Sequence, residues 1–233
     1  MIVRLLGVII PLVFCHLVIP TTSAQDPAEK WEKAIAKFEA ADRKNQPKKG
    51  TVLFLGSSSI RGWDLKKWFP DHPYINRGFG GSQISDSIYF FDRLVTPYQP
   101  KTIVFYAGDN DISKGKSAKI VSEDFRKFAK LTTQALPQTQ ILFVAIKPSI
   151  KRWNLMNKMR VANQMIADFA KSNPKITFID IDTPMIGSDG KPRQDLFLKD
   201  GLHINAKGYQ IWSDRVKREL ARPVQSKGPK RQP

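Results

Sequence analysis

A chain of 233 residues is long enough to bury one substantial hydrophobic core, whereas a second domain would be cramped. Its formal charge of +17 comes from lysines and arginines spread along the whole sequence, with a local excess at residues 43–49 and 222–233. Basic residues are not interleaved with aromatic ones and no nucleic-acid module is recognisable, which argues against DNA or RNA as a partner. We interpret the charge as a solvated surface that could attract anionic envelope polymers or lipid headgroups.

The first 24 residues have the pattern of a secretory signal peptide. A single cation, Arg4, precedes a long apolar run, and small residues ending at Ala24 predict cleavage before Gln25. An uncleaved membrane anchor is the alternative, but Pro11 and Pro20 interrupt the apolar run and weaken it. We therefore expect a secreted or periplasmic protein.

Removal of this segment restricts the chemistry that the mature chain can perform. The only cysteine is Cys15, so the mature chain would have no disulfide, no thiolate nucleophile and no zinc–thiolate site. His16 and Arg4 would also be lost, which lowers the formal charge by one to +16 and leaves His72 and His203 as the only histidines. Few side chains could then act as a base at neutral pH.

Residues 25–49 predict a leading amphipathic helix followed by a basic linker. The apolar residues Trp31, Ile35 and Phe38 recur at helical spacing within residues 27–42. This helix is expected to pack against the body of the protein.

Residues 50–221 alternate between predicted strands and helices. The strands are residues 51–55, 74–76, 102–106, 140–146 and 176–181. The helices are residues 84–94, 118–135, 155–171 and 206–221. Continuous apolar runs such as "TIVFYAG" are typical of parallel strands covered by helices on both faces. The pattern predicts one three-layer, doubly wound, flavodoxin-like α/β domain with five parallel strands, followed by a disordered basic tail at residues 222–233.

Polar clusters occupy the places where such a sheet binds its ligands, beyond the carboxyl ends of the strands. "GSSS" follows the first strand, "NRGFGGSQISD" the second and "YAGDNDISKG" the third, and "FLKDGLHINAKGY" leads into the last helix. We expect these four clusters to lie on one rim of the sheet.

The two remaining histidines differ in their expected positions. His72 lies between two prolines before the second strand, at the edge opposite the rim. His203 lies on the rim side with Asp200 three residues before it, a spacing that lets the carboxylate orient the imidazole. The other interpretation is a turn at Asp200 with Asn205 capping the last helix. This structural role and the pairing of Asp200 with His203 are compatible.

The rim also carries hydrogen-bond donors of the kind that stabilise an oxyanion. A serine that ends a strand and opens a helix presents its own N–H, Gly81 allows close approach of the backbone, and Asn110 offers an amide. The alternatives are a flexible glycine loop and an Asx-turn at Asn110.

Together these segments resemble the SGNH hydrolases, also called the GDSL esterase/lipase family, over nearly all of residues 50–221. By this resemblance "LFLGSSSI" places a nucleophile at Ser58, "GFGGS" an oxyanion glycine at Gly81, "GDND" an asparagine at Asn110, and "DGLH" the pair Asp200 and His203. The resemblance implies the family fold and a serine esterase with a Ser58–His203–Asp200 triad. It also implies an oxyanion hole formed by Ser58, Gly81 and Asn110, with no metal and no organic cofactor.

One position departs from the family pattern, since the aspartate that usually precedes the nucleophile is Ser57 here. That aspartate is not the acid of the triad, so catalysis should survive with altered hydrogen bonding near the nucleophile. The choice of Ser58 over Ser57 or Ser59 depends on the alignment with Gly56.

The expected partner is an ester substrate. The polar rim loops and the lack of a long apolar lid in the sequence favour a short acyl group, such as acetyl, on a carbohydrate or another polar molecule. A lysophospholipase or thioesterase is the second interpretation. A relative that holds an envelope glycan without cleaving it is an alternative of a different class, against which the intact motifs argue.

Overall fold

The computed structural model of the protein describes residues 27–222. The predicted signal peptide lies outside these residues, as does the predicted basic tail apart from Arg222. Within residues 27–222, no helix combines the length and the apolar composition needed to cross a bilayer.

Five parallel strands form one sheet, which confirms the predicted fold class. They are β1 (Val52–Gly56), β2 (Ile75–Gly78), β3 (Thr102–Tyr106), β4 (Gln140–Val144) and β5 (Ile176–Ile179). Their order is β2-β1-β3-β4-β5, so the chain starts inside the sheet, adds β2 on one side and then builds the other side outward. All carboxyl ends therefore lie along one rim, as predicted.

Helices pack on both faces of this sheet. In the described part of the chain they are α1 (Pro27–Lys44), α2 (Ser58–Arg61), α3 (Leu65–Trp68), α4 (Ile84–Tyr89), α5 (Phe91–Leu94), α6 (Asp109–Ser113), α7 (Ala118–Ala135), α8 (Met156–Lys171) and α9 (Ala206–Leu220). Most predicted boundaries agree to within two residues, and α7 has the predicted bounds.

Every residue of β1 and β3 is buried because successive side chains enter two different cores. Leu53, Leu55 and Phe105 pack on one face with helices that include α1, α7 and α8. Phe54 and Tyr106 pack on the other face with the segments around α2 and α9. This arrangement is why these strands are continuous apolar runs in the sequence.

The helix predicted at residues 84–94 is wrong in one respect, because it is interrupted at Phe90. The backbone there has φ −93° and ψ 17°, which allows the adjacent Phe90 and Phe91 both to be buried. Phe90 packs edge-on against Phe79, whereas Phe91 packs against Phe128. Burial of two neighbouring aromatic rings explains the break.

The leading helix packs against the body, as its apolar spacing predicted. Ile35 is fully buried, and the Trp31 ring meets Phe79 edge-on with 5.5 Å between ring centroids. Arg93 forms ion pairs with both Glu32 and Glu39 of α1. Helix α1 is thus joined to the sheet domain by apolar packing and by charge.

The end of β1 depends on a glycine. Gly56 has φ +137° and pairs with Tyr106 of β3, and a Cβ at this position would overlap the Tyr106 carbonyl oxygen. Only glycine combines this backbone conformation with so close an approach of the neighbouring strand.

We expect Gly56→Ala to lower the free energy of unfolding by at least about 3 kcal/mol, from steric overlap and backbone strain together. Gly115→Ala is the matched control, since Gly115 also has positive φ (+95°) but has open space around its Cβ position. Urea denaturation measures the free energy of unfolding of both variants. An equal loss of stability in Gly56→Ala and Gly115→Ala would contradict the proposed overlap with Tyr106.

Candidate active site

Ser58 is the accessible serine of the "GSSS" segment. Strand β1 ends at Gly56, the Ser57 N–H donates to the Tyr106 carbonyl at 2.9 Å, and Ser58 is the first residue of α2. Ser57 and Ser59 are buried, with 0% and 2% of their surface exposed, whereas Ser58 is half-buried. Of these three serines, only Ser58 can therefore present its hydroxyl to a substrate at the rim.

His203 lies between Ser58 and Asp200. Its Nε2 is 3.1 Å from the Ser58 Oγ, although the two residues are 145 positions apart in the chain. Its Nδ1 is 2.6 Å from Asp200 Oδ2. Because a carboxylate accepts, this contact favours the tautomer with the proton on Nδ1 and leaves Nε2 free to accept the serine proton.

Asp200 is held in its charged form. The hydrogen bond to the His203 side chain, followed by the N–H groups of Leu202 and His203, lowers the pKa of Asp200 well below its usual range. Both of these N–H groups donate to Oδ1 at 2.9 Å. Asp200 therefore stays ionised throughout the pH range in which a histidine ordinarily titrates.

The segment that carries His203 is fixed by the start of α9. Asn205 caps this helix and makes four hydrogen bonds, to the N–H groups of Lys207 and Gly208 and the carbonyls of Asp195 and Phe197. The Tyr209 hydroxyl on α9 donates to the Ser59 carbonyl at 2.9 Å, which joins the helix to α2. The capping interpretation and the Asp200–His203 pair are both present in the structure.

Gly81 lies on the loop after β2, with φ +81°. This is a conformation that L side chains rarely adopt, so a glycine is required here for backbone reasons. The Trp31 ring of α1 lies 3.6 Å from its Cβ position. Helix α1 therefore supports the loop that carries Gly81.

Asn110 follows β3, on the same rim. Its Nδ2 donates to the Ser82 carbonyl at 3.0 Å, and its Oδ1 accepts from Arg152 at 3.0 Å. The Asx-turn interpretation is wrong, because this side chain bonds to residues 28 and 42 positions away rather than to its own turn. Asn110 thus lies against the loop that carries Gly81.

A buried ion-pair cluster holds these loops together. The Asp111 carboxylate is fully buried, accepts the Ile84 N–H through both oxygens at 3.3 Å, and pairs with Lys116 at 2.9 Å. Lys116 also contacts Asp124 of α7 at 2.8 Å. Burial raises the pKa of Asp111, and the charge of Lys116 opposes that rise.

His72 lies apart from these residues. It precedes β2 at the amino end of the sheet, as predicted, and its ring stacks on Tyr74 with 4.7 Å between centroids. No group of three or more His, Cys, Asp or Glu side chains within residues 27–222 is arranged to hold a metal ion.

The residues that converge on the rim are a hydroxyl, an imidazole and a carboxylate in hydrogen-bonded sequence, with an amide and glycine backbone beside them. Residues 54–211 match the family model for the GDSL-like lipase/acylhydrolase family. The chain belongs to this family. It is accordingly a carboxylic ester hydrolase.

Relatives and solved structures match this acylhydrolase at low sequence identity. Platelet-activating factor acetylhydrolase IB subunit alpha1 of Bos taurus is 23% identical over 187 residues, which cover 77% of this chain and 78% of that protein. A GDSL-like lipase from Bacteroides thetaiotaomicron superposes with a TM-score of 0.70 at 22% identity, over 80% of this chain and 96% of the other. A carbohydrate esterase family 3 protein from Talaromyces cellulolyticus superposes with a TM-score of 0.61 at 17% identity, covering 73% and 96%.

Three charged residues of this acylhydrolase, joined by ion pairs next to Asn110, were not predicted from the sequence. They are Asp109, Lys147 and Arg152, of which Lys147 is almost fully buried. Burial lowers the pKa of Lys147. The signal was present in "AIKPSIKRW", where cations directly follow the apolar strand β4 at the same rim.

We expect Asn205→Ala to lower both stability and esterase activity. Loss of the cap should cost about 2 kcal/mol, and displacement of the His203 segment should lower kcat by at least about tenfold. Ser117→Ala is the control, because Ser117 caps α7 through one exposed hydrogen bond to the Ile120 N–H. Its loss should cost about 1 kcal/mol with kcat unchanged. A destabilised Asn205 variant with wild-type kcat would contradict the positioning role of this cap.

Proposed function

We propose that this acylhydrolase is a secreted serine esterase in which Ser58 is the nucleophile, His203 the base and Asp200 the acid of the triad. The observation that carries the proposal is the hydrogen-bonded series from Ser58 Oγ through His203 to Asp200, with distances of 3.1 and 2.6 Å. The accessibility of Ser58 between two buried serines supports the same assignment.

The reaction proceeds through an acyl-enzyme. His203 Nε2 takes the proton from Ser58 as Oγ attacks the ester carbonyl carbon, and Asp200 stabilises the imidazolium that forms. The imidazolium then gives its proton to the alkoxide that leaves. Water attacks the acyl-enzyme with His203 again as base, which releases the carboxylic acid and restores the serine.

Three donors would stabilise the tetrahedral oxyanion: the N–H groups of Ser58 and Gly81 and the Asn110 amide. As the first residue of α2, Ser58 has no intrahelical acceptor for its N–H. Asn110 uses one of its two amide hydrogens on the Ser82 carbonyl, so the second remains for the oxyanion. One such donor is worth about 3–4 kcal/mol in the transition state.

The favoured substrate is a short acyl ester, in particular an acetyl ester, of a carbohydrate or another polar alcohol. The rim loops carry exposed charged side chains, among them Lys114, Lys151 and Lys199. Similarity to a carbohydrate esterase and to an acetylhydrolase supports the same substrate class. A lysophospholipase or thioesterase activity is the second candidate, since acylhydrolases of this family include lipase-like members.

The assignment of the nucleophile is tested with a fluorophosphonate probe, which labels activated serines. We expect Ser58→Ala to abolish labelling and turnover while the protein remains folded. Ser57→Ala and Ser59→Ala are the matched controls and should retain both. Labelling that survives in Ser58→Ala but is lost in Ser59→Ala would contradict the assignment. Wild-type protein that is never labelled would instead favour the alternative of a non-catalytic glycan-binding relative.

The substrate class is tested with p-nitrophenyl esters of increasing acyl length, together with acetylated xylo- and chito-oligosaccharides and a lysophospholipid. We expect kcat/KM to be highest for acetyl and to fall with each added pair of methylenes, because the rim loops are rich in polar and charged residues. A maximum at eight or more carbons, or faster hydrolysis of the lysophospholipid, would favour the second candidate.

A further inference from the structure

Arg152 forms a bridge between a buried carboxylate and the side chain of Asn110. It lies on the loop between β4 and α8, where Nη1 donates to Asp109 Oδ2 at 2.9 Å and Nη2 donates to Asn110 Oδ1 at 3.0 Å. Only 16% of its side chain is exposed. The guanidinium is therefore committed to these two contacts rather than extended into solvent.

This contact determines which way the Asn110 amide faces. The two ends of an asparagine amide have nearly the same shape, and a half-turn would exchange the N–H donors for an acceptor. Arg152 can only donate and the Ser82 carbonyl can only accept. A reversed amide would place N–H against N–H on one side and oxygen against oxygen on the other, so these two partners fix Nδ2 on the side of the Gly81 loop.

The contact between Arg152 and Asn110 also brings positive charge close to the Asn110 amide donor. Lys147 Nζ lies 3.4 Å from the Asp109 oxygen that Arg152 contacts, and 3.3 Å from the Tyr106 hydroxyl. Two cations thus face one carboxylate in a buried setting, and Arg152 is the one that touches Asn110. Positive charge directly behind a donor favours negative charge in front of it, and does so more strongly where water is excluded.

We propose that Arg152 is a positioning residue for the oxyanion hole: it fixes the Asn110 amide with its N–H toward the substrate and strengthens that N–H as a donor. This inference rests on the proposed function, since it requires Asn110 to bind the oxyanion. Arg152 itself need not touch the substrate.

A purely structural role for Arg152 must be distinguished from this one. The neighbouring Lys151 N–H donates to the Gly201 carbonyl at 3.0 Å, so the loop also contacts the segment that carries Asp200 and His203. Loss of Arg152 could disturb catalysis through that segment. Such an effect would not depend on whether Asn110 is present.

The experiment is a double-mutant cycle with Arg152→Met and Asn110→Ala, measured as kcat and KM on p-nitrophenyl acetate. Arg152→Met keeps an unbranched side chain close in length to the aliphatic stem of arginine and removes the guanidinium donors, while Lys147 remains beside Asp109. Arg160→Met is the matched control, because Arg160 also pairs with an aspartate, Asp182, but this ion pair is exposed. Melting temperatures are measured on the same preparations.

We expect Arg152→Met alone to lower kcat by about ten- to a hundredfold, the loss of one charge-assisted hydrogen bond, with KM changed by less than about threefold. In the Asn110→Ala background the same substitution should lower kcat by less than about threefold, because the amide through which Arg152 acts is then absent. Arg152→Lys should recover part of the loss, and Arg160→Met should have wild-type kcat.

Two outcomes would overturn the inference while the proposed function stands, and both require Asn110→Ala to be slow. One is wild-type kcat in Arg152→Met. The other is a loss in the double variant equal to the product of the two single losses, which would mean that Arg152 acts without Asn110. If Asn110→Ala itself has wild-type kcat, the oxyanion role in the proposed function fails, and this inference fails with it.

Discussion

The parallel pairing of β1 with β3 is the interaction on which the site depends. The register places Gly56 opposite Tyr106, so both strands end at the same level and each is followed by a short helix at the rim. The Ser57 N–H continues the ladder to the Tyr106 carbonyl and so fixes the turn that begins α2. Gly56 lets the strands approach this closely, and Ser58 and Asn110 follow the ends of these two adjacent strands from separate parts of the chain. The segment before α9 then places His203 next to Ser58, whose position is fixed by the sheet.

The architecture could be predicted because it leaves local signals in the sequence. So do the residues expected at the rim, which are Ser58, Gly81, Asn110, Asp200 and His203. Buried parallel strands appear as continuous apolar runs, and their carboxyl ends must share one edge. The D-x-x-H spacing is short enough for the pairing of Asp200 with His203 to be a property of one turn. Family resemblance selected Ser58 from three adjacent serines, and the burial of Ser57 and Ser59 gives the physical reason why only Ser58 is available.

Contacts between distant loops could not be predicted, because no sequence spacing encodes them. Asn110 had the pattern of an Asx-turn, and its actual partners, Ser82 and Arg152, lie on two other loops. Lys147 and Arg152 read as two more cations in a chain of formal charge +17. Their significance comes from burial beside Asp109, which a net charge does not reveal. The break at Phe90 could not be predicted either, because it depends on the tertiary contacts of two neighbouring rings. Phe90 packs against Phe79, whereas Phe91 packs against Phe128.

A crystal structure of the enzyme after reaction with a fluorophosphonate would reveal both the nucleophile and the oxyanion hole, because the tetrahedral phosphonyl group resembles the intermediate of ester hydrolysis. We predict a covalent bond from Ser58 Oγ to phosphorus. We also predict a phosphonyl oxygen within about 3 Å of the Asn110 Nδ2 and of the Ser58 and Gly81 N–H groups, with Arg152 still bonded to Asn110 Oδ1. An adduct on another residue, or a phosphonyl oxygen directed away from Asn110, would contradict these predictions.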